Sequence, residues 1–359
     1  MIPPASTTVS LSIIDTTSWA FNIPCEDLFK PRFEGLTKLN ICSYAFLITH
    51  NGIDNEKKHV LFDLGIRKDW KNLVPKMVQK FGDWDAKIQV EQDTVEILKH
   101  NSVNVDMVDA IVWSHLHWDH TGNPSTFPPG TKIIVGTGIK AKQFPGYPTN
   151  PDSDFNEKDI EGHEVVELEK HSFNIDVGRM PGYDYFGDGS FYILDAPGHS
   201  LGHLNALART STGPDTFIFM AADSTHLGGE LRQSNQMPLP EALAQPGLVP
   251  CPCPVDVLLQ LHPLHSAETP YLGLDPCFPE NLAEAEETIR LIQGFDADEN
   301  VFVVFAHDVS LYDTVGFFPK AANDWKVKGW KDESRWKFLV DLQKIAANRG
   351  ASDTKSDPV

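Results

Sequence analysis

Short apolar runs alternate with polar stretches along most of the chain, and their spacing predicts an ordered series of strands and helices. Short continuous apolar runs are typical of buried strands, whereas apolar residues three or four apart among charged ones are typical of amphipathic helices. The predicted strands are 9–14, 42–48, 59–62, 110–113, 133–135, 191–194, 204–207, 216–221 and 301–305. The predicted helices are 89–99, 139–143, 280–292 and 333–348. Because strands alternate with helices in both halves, the pattern predicts a layered α/β architecture.

Two long segments interrupt this pattern. Proline, glycine, aspartate and tyrosine accumulate in residues 144–189, and proline is again frequent in residues 227–279. The weak periodicity of both segments predicts irregular insertions rather than core. Residues 1–359 are therefore predicted to form a single domain with two loop-rich insertions that cover the functional site. The polar tail, residues 350–359, is expected to be frayed.

The charge balance restricts the kind of partner. The chain carries 30 Lys and Arg against 50 Asp and Glu, a formal net charge of −20. Such a field repels phosphate backbones and anionic membrane surfaces. No apolar run of the sequence approaches the ~18 residues that are needed to cross a bilayer. We therefore expect neither nucleic acid nor membrane as a partner, and a small neutral molecule is favoured.

The cysteines and the beginning of the chain predict an intracellular protein. Five cysteines are a sparse and odd-numbered set, which does not suggest a disulfide framework and is typical of a reducing compartment. The first residues lack the basic segment followed by an apolar segment that marks a signal peptide. A cytoplasmic location is therefore expected.

The densest group of possible metal ligands follows the predicted strand 110–113. His115, His117, Asp119 and His120 lie within six consecutive residues. Imidazole nitrogen and carboxylate oxygen are common ligands of zinc and similar metals. His115 and His117 can reach one ion from an extended segment, whereas Asp119 and His120 project differently and can serve a second ion nearby.

Three further candidates follow other apolar runs. His199, Asp223 and His307 each come shortly after the end of a predicted strand. Side chains at strand ends can converge at one edge of a sheet, as a binding site requires. The pattern therefore predicts a metal site at a sheet edge.

The motifs around these residues resemble those of the metallo-β-lactamase superfamily. Residues 115–120 resemble its HxHxDH signature, and residues 196–203, Ala-Pro-Gly-His-Ser-Leu-Gly-His, resemble its PGHTxGH segment. Asp63-Leu64-Gly65 resembles its early Asp-x-Gly, Asp223 its bridging carboxylate and His307 its late histidine. The resemblance covers nearly the whole chain and implies a four-layer αβ/βα sandwich with the site at one edge.

The resemblance also implies two metal ions in each chain. It assigns three histidines to the first ion, three residues to the second and one carboxylate to both: His115, His117 and His199; Asp119, His120 and His307; and Asp223. Zinc is favoured, although iron, manganese and cobalt also accept this mixed nitrogen and oxygen set. Two such ions lower the pKa of a shared water, so that hydroxide can attack a carbonyl group. Asp119 is the expected acceptor of a proton.

His226 is a second candidate catalytic residue. It lies three residues after Asp223, where lactonases of this superfamily commonly carry a tyrosine that donates a hydrogen bond to the substrate carbonyl. A histidine can donate the same bond to a developing oxyanion, and the alternative is an exposed loop histidine. His203 is expected to pack behind the ligands. Asp63 either orients a ligand histidine or ends its strand.

Comparison with the branches of the superfamily favours the lactonase-like enzymes. His120 and Asp223 argue against class B β-lactamases, which usually lack that histidine and carry cysteine at the other position. The net charge argues against nucleases, and the absence of a flavin domain and of a glutamate in the motif argues against flavodiiron proteins. The favoured function is hydrolysis of a small cyclic ester or amide: a lactone, a γ-lactam or a cyclic carbamate such as a benzoxazolinone.

Two other activities stay open. One is a thioesterase of the glyoxalase II type. The lack of a basic cluster near the late helices argues against it. The other is a single-iron persulfide dioxygenase, against which the complete set of ligands for two ions counts. Apolar and aromatic residues of the insertions are expected to line the site: Phe144, Tyr147, Tyr183, Tyr185, Phe186, Leu261 and Tyr271. The substrate and the oligomeric state stay open, a homodimer being one option.

Overall fold

The apolar runs form two large β-sheets. The computed structural model describes residues 1–26, 28–52 and 57–353. The strands are β1 (Ser10–Pro24), β2 (Phe29–Lys30), β3 (Lys38–Asn51), β4 (Lys57–Phe62), β5 (Lys87–Val90), β6 (Val108–Val112), β7 (Lys132–Val135), β8 (Val165–Glu167), β9 (Ile175–Val177), β10 (Met180–Asp184), β11 (Phe191–Asp195), β12 (Leu204–Ser211), β13 (Thr216–Met220), β14 (Ala242–Leu243), β15 (Cys253–Pro254), β16 (Gly273–Leu274) and β17 (Val301–Val304).

The strand order places the ends of several strands at a common edge. One sheet has seven strands in the order β5-β1-β3-β4-β6-β7-β8, and the other has six in the order β17-β13-β12-β11-β10-β9. Strands β4, β6, β7 and β8 are parallel, as are β13 and β17. Parallel neighbours present their carboxyl ends on the same side, so the residues that follow β4, β6, β13 and β17 can meet there.

Helices cover the outer faces of both sheets. The helices of the described residues are α1 (Pro75–Asp83), α2 (Thr94–His100), α3 (Ile139–Gln143), α4 (Gly228–Leu231), α5 (Val255–Leu261), α6 (Leu282–Ala297), α7 (Trp330–Ser334) and α8 (Phe338–Asp353). One core cluster joins residues of both sheets between them. A second packs α2 and α3 on the outer face of the seven-stranded sheet, and a third packs α6 on the outer face of the six-stranded sheet. The predicted four-layer αβ/βα sandwich is confirmed.

Strand β3 shows why the sequence specifies this layering. Successive side chains of a strand point to opposite faces of its sheet. Tyr44, Phe46 and Ile48 therefore face the cluster between the sheets, whereas Ala45 and Leu47 face the cluster under the helices. A strand that is buried on both faces must be apolar throughout, which is why residues 42–48 form a continuous apolar run.

The first half of the chain contains longer strands than the pattern predicts. Strand β1 runs to Pro24 rather than to residue 14, with irregular pairing to β3 after Asp15. The predicted helix 89–99 is wrong at its start, because Gln89 and Val90 belong to β5 and pair with β1. The helix begins only at Thr94, after Asp93, whose carboxylate caps the first turn together with Glu96.

Residues 144–189 are not wholly irregular, contrary to the prediction. They contain β8, which extends the seven-stranded sheet, and β9 and β10, which extend the six-stranded sheet. Tyr185 and Phe186 pack against Phe191 of β11 and against the cluster between the sheets. Phe144 packs on Phe155 in the cluster under the helices. These aromatic residues therefore stabilise the core.

Residues 227–279 form a small apolar cluster with the last helix. Leu243, Leu258 and Tyr271 pack against Leu339 and other residues of α8. Short elements, namely α4, β14, β15, α5 and β16, lie in this segment. Helix α8 continues to Asp353, through the first residues of the segment 350–359 that was predicted to be frayed, and residues 354–359 of that segment lie outside the described part. Among the described residues, no helix has the length and apolar character that a bilayer crossing needs.

Candidate metal centre

The residues that follow several strands meet at one edge of the sandwich. The segment 114–120 follows β6, and Asp63 follows β4. Asp223 comes after β13, and His307 comes after the neighbouring parallel strand β17. His199 lies in the loop between β11 and β12. The structure thus brings together all seven residues that the sequence predicts as metal ligands.

A first group of four possible ligands surrounds one point. His115, His117, His199 and Asp223 each offer one ligand atom, and these atoms lie within 4.8 Å of one another. The Nε2 atoms of His115 and His199 are 3.6 Å and 3.7 Å from Oδ2 of Asp223. The Nδ1 atom of His117 is 3.1 Å from Nε2 of His199. His117 is partly exposed, whereas the other three residues are buried.

A second group of four possible ligands lies beside the first. It consists of Asp119, His120, Asp223 and His307, with ligand atoms again within 4.8 Å of one another. The Nε2 atoms of His120 and His307 are 3.0 Å and 3.1 Å from Oδ1 of Asp223. The Nε2 atom of His307 is also 3.5 Å from Oδ2 of Asp119. Asp223 therefore directs one carboxylate oxygen to each group.

The chemistry of these donors fits metal ions. The Nε2 atoms of His115 and His120 and Oδ1 of Asp223 are buried and have no hydrogen-bond partner among the described residues, although Nε2 of His120 and Oδ1 of Asp223 are only 3.0 Å apart. Buried polar atoms without partners are costly. Several lone pairs that are aimed at a common space, without bonding each other, are satisfied together by a cation.

The protonation states of His115, His199 and Asp223 agree with metal binding. Burial lowers the pKa of His115 and His199 well below the ordinary value of an imidazole, so both rings are neutral and carry a free lone pair. Burial alone would raise the pKa of Asp223, but the neighbouring His120 and His307 outweigh it and lower that pKa well below the ordinary carboxyl value. Asp223 is therefore ionised.

Hydrogen bonds behind the ligands fix their rings. Asp63 accepts a bond of 2.8 Å at Oδ2 from Nδ1 of His120 and a bond of 2.7 Å at Oδ1 from the backbone N–H of Ser114. The Nδ1 atom of His307 donates to the backbone carbonyl of Cys42 at 2.6 Å. These contacts leave Nε2 of each ring facing the site. Asp63 thus orients a ligand candidate, which is one of the two roles that the sequence leaves open.

His203 lies behind the site and does not face it. Its Nδ1 atom bonds to the carbonyl oxygen of Ala196 at 3.0 Å, and its Nε2 atom accepts the backbone N–H of Asp223 at 3.3 Å. Burial lowers the pKa of His203 to about 3, so the ring is neutral and can accept that bond. The prediction that His203 packs behind the ligands agrees with this geometry.

His226 lies between the first group and a buried carboxylate. Its Nε2 atom is 3.5 Å from Oδ2 of Asp223, and its Nδ1 atom is 3.8 Å from Oε2 of Glu230. Although burial opposes protonation, these two carboxylates raise the pKa of His226 to about 10. The ring is 5.1 Å from that of His199 and 5.0 Å from that of Phe278. His226 is therefore a buried neighbour of the ligand candidates and not an exposed loop histidine.

Sequence reasoning missed two neighbours of the site, Glu230 and Phe278. The first lies in a single turn of helix, and the second lies in the proline-rich segment, so neither belongs to a periodic pattern or to a ligand motif. The spacing of four residues between His226 and Glu230 is a signal that could have identified the first. His262 also lies in the proline-rich segment, but its ring bonds to the carbonyl oxygen of Thr269 in its own loop, not to a residue of the two ligand groups.

A small cavity adjoins the two ligand groups. It has about 230 Å³ of empty space and borders His199 and Asp223 on one side and Leu274 and Pro279 on the other. Its lining contains no lysine or arginine. Among the described residues, the cavity therefore offers no lysine or arginine side chain to an anionic occupant.

Comparisons with known proteins agree with this geometry. The model of the metallo-beta-lactamase superfamily matches residues 43–206. The protein named Gamma-lactamase FDB1, from Fusarium pseudograminearum (strain CS3096), is 39% identical over 349 residues, which cover 95% of this chain and 84% of that protein. The protein named Cytochrome P450 monooxygenase mpaDE', from Penicillium brevicompactum, is 39% identical over 350 residues, but the chain covers only 38% of it.

A solved structure extends the comparison to the fold. The structure described as a quorum-quenching N-acyl homoserine lactone hydrolase aligns with a TM-score of 0.56, over 89% of this chain and 100% of that one. Only 16% of the aligned residues are identical. At this level of identity the likeness concerns the arrangement of the strands and helices.

Proposed function

Since the chain belongs to the metallo-β-lactamase superfamily and is one of its hydrolases, we propose that it opens the ring of a small cyclic amide or ester. The preferred substrate class is a γ-lactam or a cyclic carbamate such as a benzoxazolinone. A relative that is 39% identical and covered over 84% of its length is named as a γ-lactamase, which supports the amide over the ester. Lactones are the second substrate class.

The position of Asp223 is the observation that carries the proposal. Its Oδ2 atom faces His115 and His199, and its Oδ1 atom faces His120 and His307. A single carboxylate between two sets of imidazoles suits two cations that lie close together. We infer that His115, His117 and His199 hold one divalent ion, that Asp119, His120 and His307 hold another, and that Asp223 contacts both.

Zinc is the preferred metal for these sites. Neutral imidazoles and carboxylates are typical zinc ligands, and iron, manganese or cobalt could also be held. Two divalent ions held there would supply polarisation of the carbonyl group and a water molecule of lowered pKa. The remaining contributions come from residues of the chain.

Two residues of the chain are proposed to act on the substrate. Asp119 directs Oδ2 toward the second group and can accept a proton there during ring opening. His226 directs Nε2 toward Asp223 and can donate a hydrogen bond to the carbonyl oxygen as its negative charge grows. We also propose that residues 227–279 cover the site within a single domain, since His226 contacts both Glu230 and Phe278 of this segment.

A substrate screen tests the proposal. Purified enzyme supplied with zinc is incubated with γ-lactams, cyclic carbamates, lactones and acyl thioesters, and ring opening is followed by chromatography. We expect the enzyme to hydrolyse a lactam or carbamate. A chelator should abolish this activity, and added zinc should restore it. Asp223→Ala is the matched control for contaminating hydrolases, because it removes the carboxylate that both groups share.

Two results would overturn the proposal. Hydrolysis of thioesters with no ring opening would assign the chain to the thioesterases. A single iron per chain together with oxygen consumption would assign it to the persulfide dioxygenases.

A further inference from the structure

Glu230 is a fully buried carboxylate directly behind His226. It lies in the single turn α4, and its side chain has no exposed surface. Its Oε2 atom accepts the backbone N–H groups of His226 at 2.6 Å and of Leu227 at 3.2 Å. Its Oε1 atom is buried and has no hydrogen-bond partner among the described residues. Half of the carboxylate is thus bonded to the backbone, and the other half is free to accept a bond.

The ring of His226 also has a buried polar atom without a hydrogen-bond partner in the described part of the chain. Its Nδ1 atom is buried, lacks a hydrogen-bond partner among the described residues, and is 3.8 Å from Oε2 of Glu230. Its Nε2 atom is on the opposite side of the ring, 3.5 Å from Oδ2 of Asp223. The ring of Phe278 packs edge-on against it at 5.0 Å. Each nitrogen of this ring therefore faces a carboxylate.

A hydrogen bond at one nitrogen of an imidazole determines how the other nitrogen is presented. A buried Nδ1 without a partner costs free energy, and a hydrogen bond from it to the carboxylate of Glu230 removes that cost. A movement of about 1 Å brings the 3.8 Å separation of Nδ1 and the carboxylate to hydrogen-bond distance. The ring then has a fixed orientation with Nε2 directed toward Asp223.

We propose that Glu230 is a positioning residue, which accepts a hydrogen bond from Nδ1 of His226 and so holds Nε2 of that ring toward the substrate. The inference rests on the proposed function in one respect, namely that His226 contacts the substrate carbonyl. Glu230 itself does not touch the substrate, and its effect on turnover passes through His226.

Glu230 also bonds two backbone N–H groups, so a purely structural role must be separated from this one. A double-mutant cycle does so with Glu230→Gln, His226→Phe and the double variant, each purified with zinc. Glutamine keeps the size of the side chain and one oxygen for the backbone bonds. Its NH2 group, a donor, replaces the second acceptor oxygen of the carboxylate. Glu96→Gln is the matched control, because Glu96 accepts the backbone N–H of Asp93 at 3.0 Å at the start of α2, away from the site.

The expected result is a loss that depends on His226. Glu230→Gln should lower kcat by about tenfold with KM nearly unchanged, the lower end of the ~10–100-fold loss for partners that orient metal-site residues. In the His226→Phe background the same change should alter kcat by less than about twofold, because the residue through which it acts is gone. Glu96→Gln should leave kcat unchanged. An equal loss in both backgrounds, or no loss in the parent, would refute the proposal.

A second measurement needs no Glu230 variant and no substrate. The histidine ring nitrogens of the zinc-bound parent are observed by NMR, and the signals of His226 are assigned by their absence in His226→Phe. Nδ1 of His226 should carry a hydrogen that is protected from exchange with solvent, and Nε2 should also carry one, because it donates to the carbonyl oxygen in the proposed function. An Nδ1 without hydrogen would refute the proposal, whereas an Nε2 without hydrogen would refute the donor role of His226 in the proposed function. If the parent opens no cyclic substrate, the proposed function fails, and this measurement still tests whether Nδ1 of His226 donates the hydrogen bond that the proposal requires.

Discussion

At the level of single residues, the site depends on where each oxygen and nitrogen points. Asp223 faces four imidazoles that come from three separate segments of the chain, at distances of 3.0–3.7 Å. Three of those rings are hydrogen-bonded at their other nitrogen: His115 to Oγ of Ser114, His120 to Asp63 and His307 to the carbonyl oxygen of Cys42. These bonds fix the orientation of the rings, and ligands with a fixed orientation bind an ion at a lower cost.

Substitution of the two acidic ligand candidates should reduce turnover strongly. Asp223→Ala removes the carboxylate that faces both groups, and Asp119→Asn keeps the size of the side chain but removes its charge and its ability to accept a proton. We expect each variant to lose at least ~10²-fold in kcat, the scale of losing a proton-transfer group. Asp195→Asn, which changes a carboxylate at the end of β11 outside both groups, is the control. Turnover near that of the parent would remove the substituted residue from the site.

His226 and His199 should differ in what their loss removes. If His226 donates a hydrogen bond mainly in the transition state, His226→Phe lowers kcat by about 10²-fold or less while the metal content and folding persist. His199→Ala should lose metal and activity together, because Nε2 of His199 belongs to the first ligand group. Elemental analysis beside steady-state kinetics distinguishes the two. Loss of a metal equivalent in His226→Phe would make His226 a ligand instead.

The sequence predicts most of this site because its ligands occur in short motifs. His115, His117, Asp119 and His120 are local in the chain, so their spacing alone indicates a metal site. Glu230 and Phe278 could not be found in this way. They approach His226 through the fold of an aperiodic segment, and a residue that matters only through its neighbour carries no motif.

At the level of secondary structure, helix α6 supports the loop that carries His199. The backbone N–H groups of Glu280 and Asn281 donate to the carbonyl oxygens of His199 and Gly198, at 3.1 Å and 2.9 Å. Gly198 has a φ of 124°, and a Cβ atom there would lie 2.0 Å from the backbone nitrogen of Ala285 in α6. The close approach of loop and helix therefore requires glycine.

Gly198→Ala should accordingly disturb both stability and metal binding. Overpacking alone costs about 1–3 kcal/mol, and an unfavourable φ adds to this, so we expect a free energy of unfolding lower by at least about 2 kcal/mol. Because His199 is the next residue, the affinity for metal should also fall. Gly130→Ala is the control, since a Cβ there meets nothing within 4 Å. Chemical denaturation and metal titration measure both effects, and a Gly198→Ala variant as stable as Gly130→Ala would contradict the explanation.

The elements that the sequence missed are those with the least periodic signal. Strands β8 and β9 have three residues each and lie at sheet edges, too short for alternation to be seen. Gln89 and Val90 were predicted as helix because apolar residues there are spaced as in the helix that follows, and only pairing with β1 makes them a strand. The long buried strands were recognised because burial on both faces requires an uninterrupted apolar run.

At the level of the whole molecule, ions at the proposed centre should stabilise the contact between the two sheets. The ligand candidates come from both sheets, so ions that bind only the folded state should resist separation of the sheets. Elemental analysis after gentle purification should find close to two metal equivalents per chain. Removal of metal by a chelator should lower the midpoint of thermal unfolding by several degrees, because a ligand at about 1,000 times its Kd adds about 4 kcal/mol. A metal-free protein with an unchanged midpoint and full activity would contradict the two-ion assignment.

The net charge of −20 determines which macromolecules can approach the site. Nucleases act on polyanions. A protein binds a phosphate backbone through a cluster of lysine and arginine residues, which neutralise the phosphates and displace their counterions. The cavity beside His199 and Asp223 has neither residue in its lining. We therefore expect no measurable binding of single-stranded or double-stranded DNA or RNA at physiological salt, by fluorescence anisotropy with zinc-bound enzyme. Lower salt tests the same point, since repulsion between like charges grows as screening weakens. A submicromolar Kd that weakens as salt is added would show a basic surface, and would return the nucleases to consideration in place of a hydrolase of small neutral rings.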